Sequence, residues 1–127
     1  MKRKIKFRAK TTANGHWVYG SLIDYGDNTF AIRNSKSQPW VQPDSIGQFT
    51  GLLDRNGKEI YEGDILLYID RDAKEHYREV VYHRGCFMLH NPYAKLPDTP
   101  ICHHMVDGEL NWEVIGNIHE QSKKLER

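Results

Sequence analysis

No long segment of this chain carries the i, i+3, i+4 apolar spacing of an amphipathic helix. Short runs of β-branched and aromatic residues are instead cut apart by Gly, Asn and Asp turn signals. That pattern points to a fold built from antiparallel hairpins. Residues 50–64, TGLLDRNGKEIYEGD, show it most densely. Asp54, Arg55, Asn56 and Gly57 read as a tight turn, in which Asp opens the bend and Asn-Gly tolerates positive φ. The flanks FTGLL and KEIYEGD would pair antiparallel across it. Gly63 then permits a sharp bend or bulge before DILLYID, a near-continuous apolar run expected in the core. On this reading the glycines position backbone, and the charges lie at turn edges facing water.

The same signals organise the rest of the chain. KIKFRAK reads as a first strand, with Ile5, Phe7 and Ala9 on one face and Lys4, Lys6, Arg8 and Lys10 on the other. TTANG leads into the strand HWVYGSLID, and YGDN turns into TFAIR. NSKSQP is a polar loop, and Pro43 confines the start of WVQPDSIGQFTGLLD to an edge or a bend. RDAKEH turns into the strand YREVVYH, and RG turns that into CFMLH. Residues 91–111 show no clear pattern, and within them NPYAKLPDTPI, which holds three of the five prolines, is expected to run as a loop. WEVIGNI is the final strand, and the tail HEQSKKLER is expected to form one helical turn or two. The succession of short strands from 62 to 119 suits a small barrel. The chain is therefore expected to be mainly β, with an N-terminal β-rich part at 1–61 and a C-terminal part at 62–127. These form one compact domain, or two small substructures sharing a core.

A chain of this size buries roughly two-thirds of its unfolded surface and folds without metal or disulfide staples. Its composition, 39% hydrophobic and 28% charged, is that of a globular protein. MKRKIKFRAK has the charge of a signal peptide but no apolar core behind it, and no stretch approaches the length of a membrane span. Two cysteines, Cys86 and Cys102, are too few for a disulfide scaffold and make a reducing cytoplasm the expectation. Net charge is only +1, but residues 1–10 hold six basic groups and no acid, leaving 12 basic against 17 acidic groups beyond them. That asymmetry is the one global hint of an anionic partner. The same lysines also suit an edge strand that must not pair with other chains.

The chemistry-bearing patterns are weak. Counted from Asp54 as a calcium loop, Gly57 falls at the wrong position and Ile65 stands where the bidentate glutamate belongs. Cys102, His103 and His104, followed by Asn111 and His119, faintly suggest a metal-dependent nuclease. The spacing is too short, though, and Asn111 leads into a strand rather than a metal-bearing helix. Surface histidines and two buried free thiols are the simpler expectation. Glu62 and Asp64 could pair as acid and base, but beside Gly63 they are better read as solvated or bonded to backbone amides. No phosphate-cradling glycine motif and no nucleophile elbow occurs. Trp17, Tyr19, Trp40 and Phe49 could stack bases beside the basic strand, or simply fill an aromatic β core.

Three blocks together resemble the YopX family of phage and prophage proteins: GHWVYGSLI at 15–23, VQPDSIGQFTGLLDRNGKEIYEGDIL at 41–66, and EVIGNIHE at 113–120. IKFRAK at 5–10 is similar to that family's opening, with Lys10 where a tryptophan is frequent. Residues 91–111 look like a variable insertion. The resemblance implies a β-rich N-terminal part followed by a small barrel of the Src-homology-3-like type, in a bacterial host cytoplasm. It supplies no reaction, catalytic residue or cofactor. What it carries over is a structural motif: Gly51, Asp54, Asn56, Gly57, Ile60, Tyr61, Glu62, Gly63 and Asp64. The expected function is that of a non-catalytic phage accessory protein binding a host or phage protein or a second copy of itself. The alternatives are nucleic-acid binding through Lys4, Lys6, Arg8 and Lys10, and, further off, metal-dependent hydrolysis. No membrane partner is expected.

Overall fold

The computed structural model describes residues 3–120, which are mainly β with antiparallel pairing throughout. Two compact units divide the chain, one within Met1–Gly51 and one within Leu52–Arg127. The division falls before the 61/62 boundary expected from sequence, because Leu52 and Ile60 already pack into the second unit's core. The expected helical turns of the C-terminal tail lie outside the described residues beyond Glu120.

The first unit comprises β1 (Phe7–Lys10), β2 (Trp17–Gly26), β3 (Thr29–Arg33), β4 (Trp40–Val41) and the start of β5 (Gly47–Leu53). Their order in the sheet is β4-β3-β2-β1-β5. β2 divides its pairing: Trp17–Gly20 lie against β1 and Ser21–Gly26 against β3. An isolated bridge from Thr11 to Val41 brings β4 back to the end of β1. Ala9, Ile32 and Val41 form the core beneath, with Phe7, Val18, Leu22, Phe30 and Ile46 packed on it. Of the edge or bend expected at Pro43 the structure has the bend: Pro43 opens a short 3-10 turn, Pro43–Ser45, where its fixed φ and missing N–H are harmless.

In the second unit β6 (Glu59–Tyr61) follows the Asp54 turn, and β7 (Asp64–Ile69), β8 (Glu75–His83) and β9 (Cys86–His90) form a meander. β10 (Thr99–Pro100) and β13 (Glu113–Asn117) complete a sheet in the order β10-β9-β8-β7-β13. Ile60, Leu66, Val80, Leu89, Ile101, Leu110, Trp112 and Val114 form its buried core. Each of these large side chains contributes about 1.5–3 kcal/mol by burial. Among the described residues the sheet of the expected small barrel is open: β10 and β13 end it without pairing with each other.

Nor does NPYAKLPDTPI run wholly as a loop, and the rest of 91–111 holds regular elements too. Thr99–Pro100 pairs with β9, Ile101–His104 forms a 3-10 turn, and β11 (Met105–Val106) and β12 (Glu109–Leu110) make a small hairpin. Buried Ile101 and Leu110 anchor this segment to the core. No helix among the described residues is long and apolar enough to cross a membrane.

Candidate interaction surface

β1 is flanked by β2 and β5, so its basic residues do not guard an edge strand, as one reading of the sequence had it. They lie on aromatic rings instead. The Arg8 guanidinium sits 4.7 Å from the Trp17 ring centre and the Lys10 ammonium 5.5 Å from it. The Lys6 ammonium sits 5.6 Å from the ring centre of Phe49. Arg8 is buried at 7% exposure and Phe49 at 6%, so neither is presented to solvent as a stacking platform. Lys4 is exposed ahead of the strand. The strand thus uses much of its cationic and aromatic character internally, where a desolvated cation–π contact is worth up to about 2 kcal/mol.

The aromatic surface of this unit lies elsewhere, on β2 and β4. Tyr25 and Trp40 are both more than half exposed. Their ring centres are 5.0 Å apart, and Gln38 Nε2 donates to the Tyr25 hydroxyl at 2.7 Å. The pair follows from register. Trp40 is opposite Ala31, which is opposite Ile23 on β2, and Tyr25 continues from Ile23 past an irregularity in the pairing. Sequence reading had named Trp40 but not its partner, which is fifteen residues away and meets it only through β3.

The glycine-rich motif is structural in the first instance. Asp54, 6% exposed, accepts at Oδ1 from the Asn56 and Lys58 amides, both at 2.8 Å, and at Oδ2 from the Val114 amide at 2.9 Å. Gly51, Gly57 and Gly63 all take positive φ. Ile60 and Tyr61 are buried, and Asp64 Oδ2 accepts from the Tyr61 amide at 2.7 Å. Asp64 is 1% exposed while Glu62 is partly exposed, an arrangement unlike two carboxylates facing a shared substrate.

The Cys102–His104 run is not gathered into a ligand set: among the described residues no group of His, Cys, Asp and Glu could hold a metal ion. Cys102 is exposed and Cys86 half-buried, so the expectation of two buried thiols fails. The first sits on the outside of the 3-10 turn, and the second lies at the hairpin end of β9. His104 packs edge-on to Trp112, with ring centres 5.7 Å apart, and its Nε2 lies 2.8 Å from the Thr99 hydroxyl. Burial, helped by the Arg78 and His103 charges, holds its pKa below the usual 6.5. The unfolded chain therefore protonates His104 first. Its contribution to stability is complete above about pH 6.5 and declines as pH falls through that value toward the lowered folded one. Urea midpoints at about pH 7.5 and about 5.5 should differ less in His104→Gln than in the parent. Equal pH dependence in the two proteins would show that His104 is not the group responsible.

Sequence reading missed one cluster. His83 Nε2 and His90 Nδ1 approach the two carboxylate oxygens of Asp98, at 2.7 and 2.8 Å. The hydrogen bond from His90, and then that from His83, hold the Asp98 carboxyl below its usual range. Glu79, opposite His90 in the β8–β9 ladder, is pushed up by burial. An ionised carboxylate only accepts, so each imidazole carries its proton on the nitrogen facing Asp98. The arrangement clamps residues 91–98 to the β8–β9 hairpin. Its sequence signal is no more than two histidines, His83 before the turn and His90 at the far end of the next strand; nothing local announces Asp98.

No curated protein matches the chain. Among solved structures, protein EF1440 from Enterococcus faecalis is similar at 24% identity and a TM-score of 0.60, covering 98% of this chain and 99% of that one. At that identity the likeness establishes a shared fold. The model of the YopX family, described as YopX protein, matches residues 6–126. The resemblance carried by the three sequence blocks therefore holds over nearly the whole length, and the chain belongs to the YopX family.

Proposed function

We propose that the protein is a non-catalytic binding module of phage or prophage origin, working in the bacterial cytoplasm, with Tyr25 and Trp40 as the anchor of its contact surface. The carrying observation is the exposed pair itself: two large rings held against each other, one fixed further by Gln38. Tyr and Trp supply interface area at low entropic cost, and they dominate binding energy where they occur. β4, which carries Trp40, is bonded to β3 on one side and to Lys10–Thr12 on the other, so what it offers a partner is the exposed ring rather than an open strand edge. The small-barrel reading of the second unit belongs to the same proposal. It is supported by β13 returning from the end of the chain to pair with β7, the strand that opens the meander.

The test is capture from a bacterial lysate by the tagged full chain, with and without nuclease, beside a Tyr25→Ala/Trp40→Ala variant. A specific protein retained after nuclease and lost in the variant supports the proposal. Retention undiminished by the variant rejects this surface. Self-association is checked on the pure protein by sedimentation, where the variant should shift any dimer toward monomer.

Nucleic acid is the second reading. It is favoured by the charge of residues 1–51, which hold eight Lys and Arg against three Asp and Glu, and by cations lying among rings on one sheet. Single-stranded oligonucleotide binding should then weaken steeply from low to physiological salt. It should weaken again when Lys4, Lys6 and Lys10 are replaced by Gln. Salt-independent binding would remove this reading.

A further inference from the structure

One cation of the second unit is half-buried without a counterion. The register sets Arg78 opposite Leu66 and Val80 opposite Leu89, so strand alternation puts Arg78 on the core side of β8. Its guanidinium donates to the Tyr77 carbonyl at 2.7 Å and lies 5.8 Å from the Trp112 ring centre. Burial draws its pKa down, with no acid close enough to oppose that loss of water. The group stays protonated all the same. Residues 52–127 hold 14 Asp and Glu against ten Lys and Arg, yet among the described residues none of these acids pairs with Arg78. A cation withdrawn from water and left unpaired is unfavourable, and an anion beside it removes that cost.

A second ionisable base flanks the same ring. His104, at the end of the 3-10 turn, stands edge-on to Trp112 with ring centres 5.7 Å apart, and its Nε2 lies 2.8 Å from the Thr99 hydroxyl on β10. The charges that bear on it come from Arg78 on β8 and from His103 beside it, and both are positive. His76, next to Arg78 on this face, is already held by Asp70 at 2.8 Å. Arg78 also lines the open cleft beside the start of β8, so ions in solvent reach it.

We propose that Arg78 and His104 bind a tetrahedral oxyanion, a sulfate or phosphate group, on this face of the second unit. The guanidinium spends one N–H on Tyr77 and keeps the rest of its fork for the anion. Protonated His104 donates at both ring nitrogens; with one on Thr99, the other serves the anion. A dianion answers both cations, which a carboxylate does not. Its charge favours the protonated imidazole, so anion binding and proton uptake by His104 reinforce each other. The site stands apart from Tyr25 and Trp40 and does not depend on their role.

The test is an amide-resolved NMR titration of the full chain with sulfate, whose charge is constant across the pH range used, at fixed ionic strength. Sulfate should shift the amides of residues 76–80, 99–104 and 112, and bind at least about threefold more tightly near pH 5.5 than near pH 7.5. Arg78→Gln should weaken it by about tenfold, with Arg78→Lys, which keeps the charge but not the fork, falling between. The amide spectrum without sulfate shows that each variant is folded. His104→Gln should bind with little dependence on pH. Inorganic phosphate and glycerol phosphate separate the sources: equal affinity marks the free ion as the ligand, and a preference for the ester marks a phosphate carried on a larger molecule. The proposal is overturned by shifts confined to other residues or absent at tens of millimolar sulfate, by unchanged binding in folded Arg78→Gln, or by parental pH dependence in His104→Gln.

Discussion

Asp54→Ala should destabilise the second unit by about 3–5 kcal/mol, enough to consume much of a small domain's stability. The carboxylate takes three backbone amides, and two of them, from Asn56 and Lys58, close the turn between β5 and β6. The third, from Val114, ties that turn to β13. Hydrogen bonds to a charged acceptor contribute about 1.5–3 kcal/mol each, and the truncation also leaves the Val114 amide buried without its acceptor. The carbonyl of Trp112 accepts from the Arg55 amide at 2.9 Å, so the same turn holds β13 and the residue just before it. Asp54→Asn keeps the shape but offers one oxygen and one NH2, so about half of the loss should return. Urea unfolding followed by tryptophan emission measures both. A shift under about 1 kcal/mol in Asp54→Ala would mean the turn is held by its backbone alone.

Gly20→Ala should have a comparable effect in the first unit, at about 3 kcal/mol or more, by a different mechanism. A Cβ built at Gly20 would stand 2.2 Å from the Arg33 carbonyl oxygen and 3.0 Å from its carbon. Both are backbone atoms of β3, so no rotamer change relieves the overlap. Gly20 is the last β2 residue opposite β1, just before the strand passes to β3, and the end of β3 leaves no room there for a side chain. Relief requires displacing β3, and with it Ile32 in the core. Thermal unfolding, read through Trp17 and Trp40, should show a large fall in midpoint. A Gly20→Ala protein unfolding within a degree or two of the parent would show that the two strands do not cross so closely.

Much of the hairpin architecture was legible because turn chemistry is local. Asp27-Asn28, Arg84-Gly85 and Asp107-Gly108 all place two consecutive residues at positive φ between paired strands. Asn, Asp and Gly before or at such positions can be recognised without knowing the partner strand. The strand CFMLH was readable for the same reason, bounded by a turn on one side and a proline on the other. What escaped was non-local. That β1 lies between β2 and β5 depends on β5 crossing back from 47, which no residue in KIKFRAK encodes. The two-residue strands of 99–110 carry no periodicity; they are held by Ile101 and Leu110 reaching the core. Asp98 sits in a proline-rich stretch that reads as loop, and it acquires chemical character only from two histidines on strands already placed.

The bond from Val114 to Asp54 spans 60 residues, and β13 pairs with β7 across a comparable stretch of chain. On a ribosome these contacts wait until residues 113–117 have emerged. The first unit's strands, by contrast, find their partners within Met1–Gly51 and can assemble early. Synthesis thus imposes a sequence of events: an N-terminal sheet forms first, followed by an interval in which the apolar strand Asp64–Ile69 has been made but its last neighbour has not. During that interval DILLYID is the segment of this chain most exposed to aggregation and to capture by chaperones.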